Sequence, residues 1–254
     1  MNQQTGRVCM NTELDKPPRQ ALSQWIRVVT FAIAFAWVEA AVVVYLREIY
    51  YEGSFCFPLV VVWKDGKYVA DQLIRIEFTR EIATIVMLVA VGCAAGKNAL
   101  QKFCFFMVAF GIWDVFYYVS LWLMISWPES LMTWDILFLV PLPWVGPVIT
   151  PVLLAFTMLA AGSLLIYYNE KGCVIDWRWF DWIIESACVL LIIVAFCWDW
   201  KNIIQLPDGL PRSGIPSPFA WWLYLPAYFF SVVYFAVRLK QIVCANKRQP
   251  PTID

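Results

Sequence analysis

Six long apolar stretches, separated by shorter polar ones, follow one another along the chain. A hydrocarbon core about 30 Å thick requires roughly 20 mainly apolar residues in each spanning helix. By that measure the sequence predicts spans near residues 21–46, 78–95, 103–126, 148–168, 179–198 and 219–237. We therefore predict an all-α membrane fold, a six-helix transmembrane bundle that forms a single domain over residues 21–245.

Residues 127–147 are also apolar, but four prolines and a glycine between Pro128 and Pro147 prevent one straight helix. Proline removes a backbone donor and costs roughly 3 kcal/mol inside a helix. Irregular backbone at membrane depth persists only where protein or a water-filled cavity covers it. We predict a Pro-broken re-entrant or interfacial segment with short helical turns capped by Ser126 and Thr133. Whether it enters the membrane or lies at headgroup level stays open; in either case it would border a pocket.

The loop between the first two spans, residues 47–77, contains a strand signal. Two β-rich runs, 59–63 and 68–76, flank Asp65-Gly66. Asp-Gly between such runs is a strong signal for a β-hairpin, because a type I′ turn needs two positive φ angles. We predict an extracytoplasmic β-hairpin in this loop. Cys56 in the loop and Cys197 could form a disulfide if that side is oxidising, although sequence alone does not establish the pairing.

Lysine and arginine are concentrated on alternate sides of the predicted spans. They occur in the polar ends and in the loops after the second and fourth spans. The positive-inside rule then places both termini in the cytoplasm, with the chain in the cell (inner) membrane. Residues 1–20 lack the hydrophobic region and cleavage site of a signal peptide, so we predict a disordered cytoplasmic tail there and a second tail at 246–254.

Composition supports the membrane class and excludes several functions. The chain is 61% hydrophobic and 15% charged, whereas soluble chains have about 45–50% apolar and 25% charged residues. Because the formal net charge is zero, nothing favours binding to nucleic acid. The absence of histidine and of C-x-x-C removes imidazole acid/base chemistry and the usual zinc and haem sites. We predict no metal site and no cofactor.

Acidic residues inside the predicted spans point most directly to function. Such groups cost about 2.5–3.5 kcal/mol each on insertion and face the protein interior or water. Glu39, Glu81 and Asp114 lie in the outward halves of the first three spans. We predict that they converge in an outward-facing pocket and act as catalytic acids and bases. Asp181 and Glu185, at i and i+4 in the fifth span, are instead expected to pair with Arg178 or Lys171.

Further side chains are predicted to bind a substrate beside these acids. Glu77, Arg80 and Glu81 share one helix face, so Arg80 would offset both carboxylates. Asp114 would otherwise be tied to Arg80 or to a following tyrosine. The predicted substrate-binding residues are Arg80, Glu77, Tyr117, Tyr118, Trp113, Trp134, Asp135 and Trp144.

Two sequence runs, TWDILFLVPLPWVGPV and the upstream GIWDVFYY, resemble a pattern in uncharacterised bacterial multi-pass membrane proteins. The resemblance covers mainly the third span and the segment after it. It implies a family with six spans and no known activity.

Three hypotheses about function follow from these residues. The first is a membrane enzyme that acts on a lipophilic small molecule by acid/base chemistry, which predicts an apolar cavity that reaches Asp114. The second is a small transporter or proton- or cation-handling protein, which predicts polar lining from both faces. The third is a non-catalytic membrane subunit or scaffold, in which every acid has a direct partner. Membrane lipids are expected partners in all three, and the oligomeric state stays open.

Overall fold

The computed structural model describes residues 19–50, 63–64, 67–68, 70–198 and 218–248. This part of the chain contains helices α1 (Arg19–Tyr50), α2 (Ala70–Ala95), α3 (Ala99–Ile125), α4 (Ile149–Glu170), α5 (Trp179–Cys197) and α6 (Trp221–Arg248). Each contains a stretch long and apolar enough to cross a membrane, which confirms the six predicted apolar helices. The tail up to residue 18, Cys56 and the predicted strand over residues 59–62 lie outside the described residues.

Helix α3 lies at the centre of the fold and packs against α1, α2 and α4. Glycines allow its close approach to α4. A Cβ atom added at Gly111 would lie 2.5 Å from the carbonyl oxygen of Ala155, and one at Gly162 would lie 2.7 Å from that of Cys104. Helices α5 and α6 pack against each other and meet the remaining elements through α4 and the hairpin described below.

The exposed surface of the helices is unusually apolar, and several acids are buried between them. Large apolar side chains are exposed on the outer faces of the helices, whereas several acids are buried between them. The exposed apolar residues include Trp37, Val86, Leu123, Phe156, Leu190 and Phe229. The buried acids are Glu39, Glu81, Asp114, Asp135 and Asp181.

Ser126 ends a helix and does not begin one. It is the C-cap of α3 in the left-handed conformation, with φ 56° and ψ 29°, and its backbone N–H donates to the carbonyl oxygen of Trp122. The predicted capping box at Ser126 is therefore wrong. A polar residue at the end of an apolar run resembles a start signal in sequence, although here it satisfies a carbonyl of the preceding turn.

The proline-rich segment forms an antiparallel hairpin, where the sequence predicted helical turns. Strand β3 (Trp134–Phe138) pairs with β4 (Trp144–Pro147), and the register shifts between Ile136 and Phe138. The predicted helical turn after Thr133 is wrong. Pro141 and Pro143 lie in the connection and Pro147 ends β4, positions at which the missing donor does not interrupt a central ladder. We call this element, residues 134–147, the covering hairpin.

A second hairpin lies where the sequence predicted one. Strands β1 (Trp63–Lys64) and β2 (Lys67–Tyr68) pair antiparallel, with Lys64 opposite Lys67, so the pairing brackets Asp65-Gly66. The second strand is shorter than the predicted 68–76 because α2 begins at Ala70. Together with α1, which continues to Tyr50, this leaves fewer residues between the helices than the predicted loop 47–77.

Candidate functional site

A cavity of about 330 Å³ lies between α3, α4, α5, α6 and the covering hairpin. From α3 it is lined by Leu100, Phe103, Met107, Phe110 and Asp114. Their spacing of three and four residues forms one stripe along the helix, about 21 Å long at 1.5 Å per residue. The volume falls within the range of small-molecule sites. The cavity is therefore long and narrow.

The other three helices contribute similar stripes. On α5 the stripe comprises Trp182, Glu185, Val189, Ile192 and Phe196. Helix α4 adds Leu154, Thr157, Met158, Ala161 and Leu165, and α6 adds Tyr228, Ser231, Val232 and Phe235. The lining is thus apolar over most of its length, with a few polar groups at defined positions.

Aromatic rings of the covering hairpin close one end of the cavity. The ring of Phe138 lies 6.3 Å from Phe110 and 5.7 Å from Trp144. Trp144 in turn stacks on Phe196 of α5 with 5.8 Å between ring centroids. The hairpin therefore joins α3 to α5 across this end.

A second aromatic group closes the other end. Phe103 of α3 meets Trp182 of α5 edge to face at 5.5 Å. Trp177 lies between Trp182 and Phe235, at 6.4 Å and 5.7 Å. Both ends are thus bordered by rings that can exclude water.

Three polar atoms in the lining are buried without a hydrogen-bond partner among the described residues. They are Asp114 Oδ2, Trp144 Nε1 and Glu185 Oε1. Asp114 is only 7% exposed. Leaving a buried polar group unpaired costs about 1–3 kcal/mol, and more for a charge. Two acceptors and one donor on residues that line the cavity therefore lack a partner in the described part of the chain.

The remaining polar groups of the lining are paired. Thr157 Oγ1 and the Tyr228 hydroxyl lie 2.9 Å apart. Ser231 donates to the second carboxylate oxygen of Glu185 over 2.5 Å. Among the lining residues that the structure describes, none is a lysine or an arginine. The fixed charge of this wall is thus acidic.

The tyrosine predicted to hold Asp114 holds Asp135 instead. The Tyr118 hydroxyl donates to Asp135 Oδ2 over 3.1 Å, and the backbone N–H of Ile136 donates to Oδ1 over 2.8 Å. Tyr118 lies one turn after Asp114 on α3, so this hydrogen bond places Asp135 beside Asp114. Asp114 lines the cavity, and Asp135 anchors the start of β3 to α3.

Glu39 and Arg80 belong to a separate buried network between α1 and α2. Arg80 forms an ion pair with Glu39, and its Nε and Nη2 atoms donate to Glu77 Oε2 over 3.0 Å and 2.6 Å. Thr84 donates to the other oxygen of Glu39 over 3.3 Å. The sequence predicted that Arg80 would offset Glu77 and Glu81. In the structure Arg80 binds Glu77, as predicted, and its second ion pair is with Glu39 of α1.

Glu81 binds the covering hairpin directly. The backbone N–H of Leu139, just after β3, donates to Glu81 Oε2 over 2.7 Å. Glu81 and Tyr118 therefore hold the two ends of β3 from α2 and α3. This hydrogen bond satisfies a main-chain donor that the strand ladder leaves unpaired.

The predicted site residues do not share one pocket. Asp114 and Trp144 line the cavity, and Glu39, Glu81 and Arg80 do not. The rings of Trp113 and Tyr117 stack at 6.2 Å beside Phe35, and Trp134 packs against Phe219 at 6.4 Å. The expected convergence of three catalytic acids is not found in this cavity.

Asp181 accepts a hydrogen bond from the backbone N–H of Arg178 over 2.8 Å, and both acids find side-chain partners on α6. Arg238 donates to both Asp181 oxygens over 2.8 Å and 2.7 Å, and Tyr234 also donates to Asp181. Sequence reasoning did not assign Glu185 to a site. The signal was its position in the same three- and four-residue spacing as Val189 and Ile192, an acid within an otherwise apolar stripe.

The chain matches no family model, no curated protein and no solved structure. The likeness to six-span bacterial proteins therefore stays a prediction.

Proposed function

We propose that this chain is a multi-pass membrane protein that binds a lipophilic small molecule in the cavity between α3, α4, α5 and α6. One observation carries the proposal: an elongated apolar cavity contains three buried polar atoms without partners, on Asp114, Trp144 and Glu185. Buried polar groups in proteins nearly always have partners. A molecule with an apolar body and a polar group would supply a partner at one end of the cavity.

The membrane part of the proposal rests on the helices. Six of them are apolar over a bilayer's thickness, their outer faces expose large apolar side chains, and their acids are buried. Lipid is the solvent in which this distribution is stable. The bias of lysine and arginine supports cytoplasmic termini in a cell membrane. We accordingly describe the fold as a six-helix transmembrane bundle.

The predicted acids take different roles within this proposal. Asp114 contacts the ligand and is the residue placed to exchange a proton with it. Glu81 is a positioning residue, because it holds the covering hairpin at Leu139. Glu39 is also structural, since its charge is offset by Arg80. Acid/base chemistry on the ligand would therefore start at Asp114.

Two alternative functions fit the lining less well. A transporter predicts a polar path, whereas the wall between Asp114 and Glu185 is apolar. A scaffold predicts that every acid is satisfied, which fits Glu39 and Asp181 but not Asp114.

Filling the cavity tests the proposal. Met158 lines it, whereas Phe156 on the same helix is 54% exposed on the outer surface. The protein and its Met158→Trp and Phe156→Trp variants would be purified in mild detergent, extracted with organic solvent and compared by mass spectrometry. We expect the native protein and Phe156→Trp to retain a lipophile that Met158→Trp loses, since the indole occupies its space.

Equal retention by all three proteins, or none above the bulk lipid in the native protein, would contradict the proposal. Thermal unfolding of each variant checks that a loss of ligand does not reflect a loss of fold.

A further inference from the structure

The charges in the cavity wall define the class of the ligand, provided that the proposed function holds. We propose that it is a linear lipophile with an ammonium head group, and that this group binds Asp114. Three features of the cavity indicate this class: the sign of the charge, its position and the shape of the space.

The charge around Asp114 is negative. An ionised carboxylate in an apolar cavity is unfavourable unless a cation pairs with it. Asp135 adds a second carboxylate nearby, held by Tyr118 one turn along α3, and Arg80 is already bound to Glu39 and Glu77. No lysine or arginine occurs among the described lining residues. An ammonium group would offset the charge, whereas a fatty acid or a phosphate would be repelled.

Asp114 and Glu185 differ in their hydrogen-bond partners. Glu185 already accepts a short hydrogen bond from Ser231, whereas Tyr118 donates to Asp135 and leaves Asp114 Oδ2 without a partner. The ring of Trp144 lines the cavity at the same end. Aromatic faces attract cations at short range. The Asp114 end is therefore the better site for a positive head group.

The space beyond the head group is long and narrow. The α3 stripe continues from Asp114 through Phe110 and Met107 to Phe103, a length of about 16 Å at 1.5 Å per residue. A volume of about 330 Å³ along such a stripe leaves a narrow space. It suits a single extended chain better than a fused ring system.

Three probes with one tail test the head group. Dodecylamine, dodecanol and dodecanoate would be titrated at pH 7 into the protein in phosphatidylcholine nanodiscs, with binding followed by thermal unfolding. Empty nanodiscs correct for partition into lipid. We expect the amine to bind about tenfold tighter than the alcohol, since charged hydrogen bonds are the stronger ones. Dodecanoate should bind more weakly than both.

Two variants test the position. Asp114→Asn keeps the shape and removes the charge. The roughly tenfold preference for the amine should therefore disappear, so that amine and alcohol bind with about equal affinity. Glu185→Gln tests the alternative position of the head group: it should change the affinity for all three probes by a similar factor and leave the preference for the amine. Equal binding of amine and alcohol to the native protein would overturn the inference without any variant. Persistence of the preference in Asp114→Asn, or its loss in Glu185→Gln alone, would overturn the assignment to Asp114.

A different set of results would contradict the proposed function itself. If no probe binds the native protein, or if Met158→Trp binds all three as the native protein does, the cavity is not the site. Binding that Met158→Trp abolishes, with no preference among head groups, would keep the site and overturn only the ammonium class.

Discussion

Buried charges in this protein fall into two kinds, which differ in whether a cation offsets them. Arg80 lies between Glu39 and Glu77, and Arg238 binds Asp181. Asp114 has an oxygen without a partner in the cavity. The sequence predicted that each acid is important, since charges in apolar spans are costly. It assigned Arg80 to Glu77 on the same helix, but it could not assign partners on other helices; Arg238 and Asp181, for example, are 57 positions apart.

We expect Asp181→Asn to lower the free energy of unfolding by about 3 kcal/mol, because it leaves the half-buried Arg238 without its counter-charge. Asp114→Asn should leave this free energy unchanged or raise it, since it removes a charge that no cation offsets. Unfolding of the two delipidated variants in a denaturing detergent series measures both. An equal loss in the two would contradict the distinction.

Arg80→Met should also destabilise the protein, by about 3 kcal/mol, because two carboxylates then lose one cation. Arg75→Met is the matched control, as Arg75 lies on the same helix and is exposed. Its change should stay within about 0.5 kcal/mol. Thermal unfolding of both variants provides the comparison, and similar losses in the two would show that the buried network is not what stabilises α1 against α2.

At the scale of elements, the apolar helices were predictable and the covering hairpin was not. Hydropathy over some 20 residues is a local property, so the six helices follow from composition alone. The hairpin depends on distant contacts, namely Leu139 with Glu81 and Trp144 with Phe196. Its prolines were interpreted as breaks in a helix, although they are compatible with the ends of short strands.

The hydrogen bond from Leu139 to Glu81 makes a specific prediction about the hairpin. Glu81→Ala should raise the hydrogen-exchange rate of the Leu139 amide about tenfold, because a bond to a charged group is worth about 1.5–3 kcal/mol. The control is Glu129→Ala, at an exposed position of the same region. Exchange measured by mass spectrometry over residues 134–147 should change only in the first variant. Unchanged exchange there would mean that Glu81 does not hold the hairpin.

At the scale of the whole molecule, α3 and α4 meet α5 and α6 across the cavity, with the covering hairpin at one end. Helix α3 packs tightly against α1, α2 and α4, and α5 packs against α6. The apolar stripes were visible in sequence as spans, but which stripe faces a cavity depends on how the helices pack. Asp114 and Trp144 were predicted for the site, whereas Glu185 and Ser231 were not.

The orientation of the bundle is testable with reporters. Because lysine and arginine cluster between α2 and α3 and between α4 and α5, the positive-inside rule predicts that these loops and both termini are cytoplasmic. Green fluorescent protein fused after Gly172 should fluoresce, and alkaline phosphatase fused after Ser130 should be active. The opposite pattern would reverse the orientation.

Labelling of the cavity wall by a photoreactive amphiphile tests the central claim most directly. A dodecylamine derivative with a diazirine in its tail would be irradiated with the protein in nanodiscs, and the labelled residues would be identified by mass spectrometry. We expect labels on Met107 and Ile192 of the cavity wall, which excess dodecylamine removes, and weaker, non-competable labels on the outer residues Val86 and Leu190. Labels confined to Val86, Leu190 and other outer positions would contradict the claim that the cavity binds a lipophile.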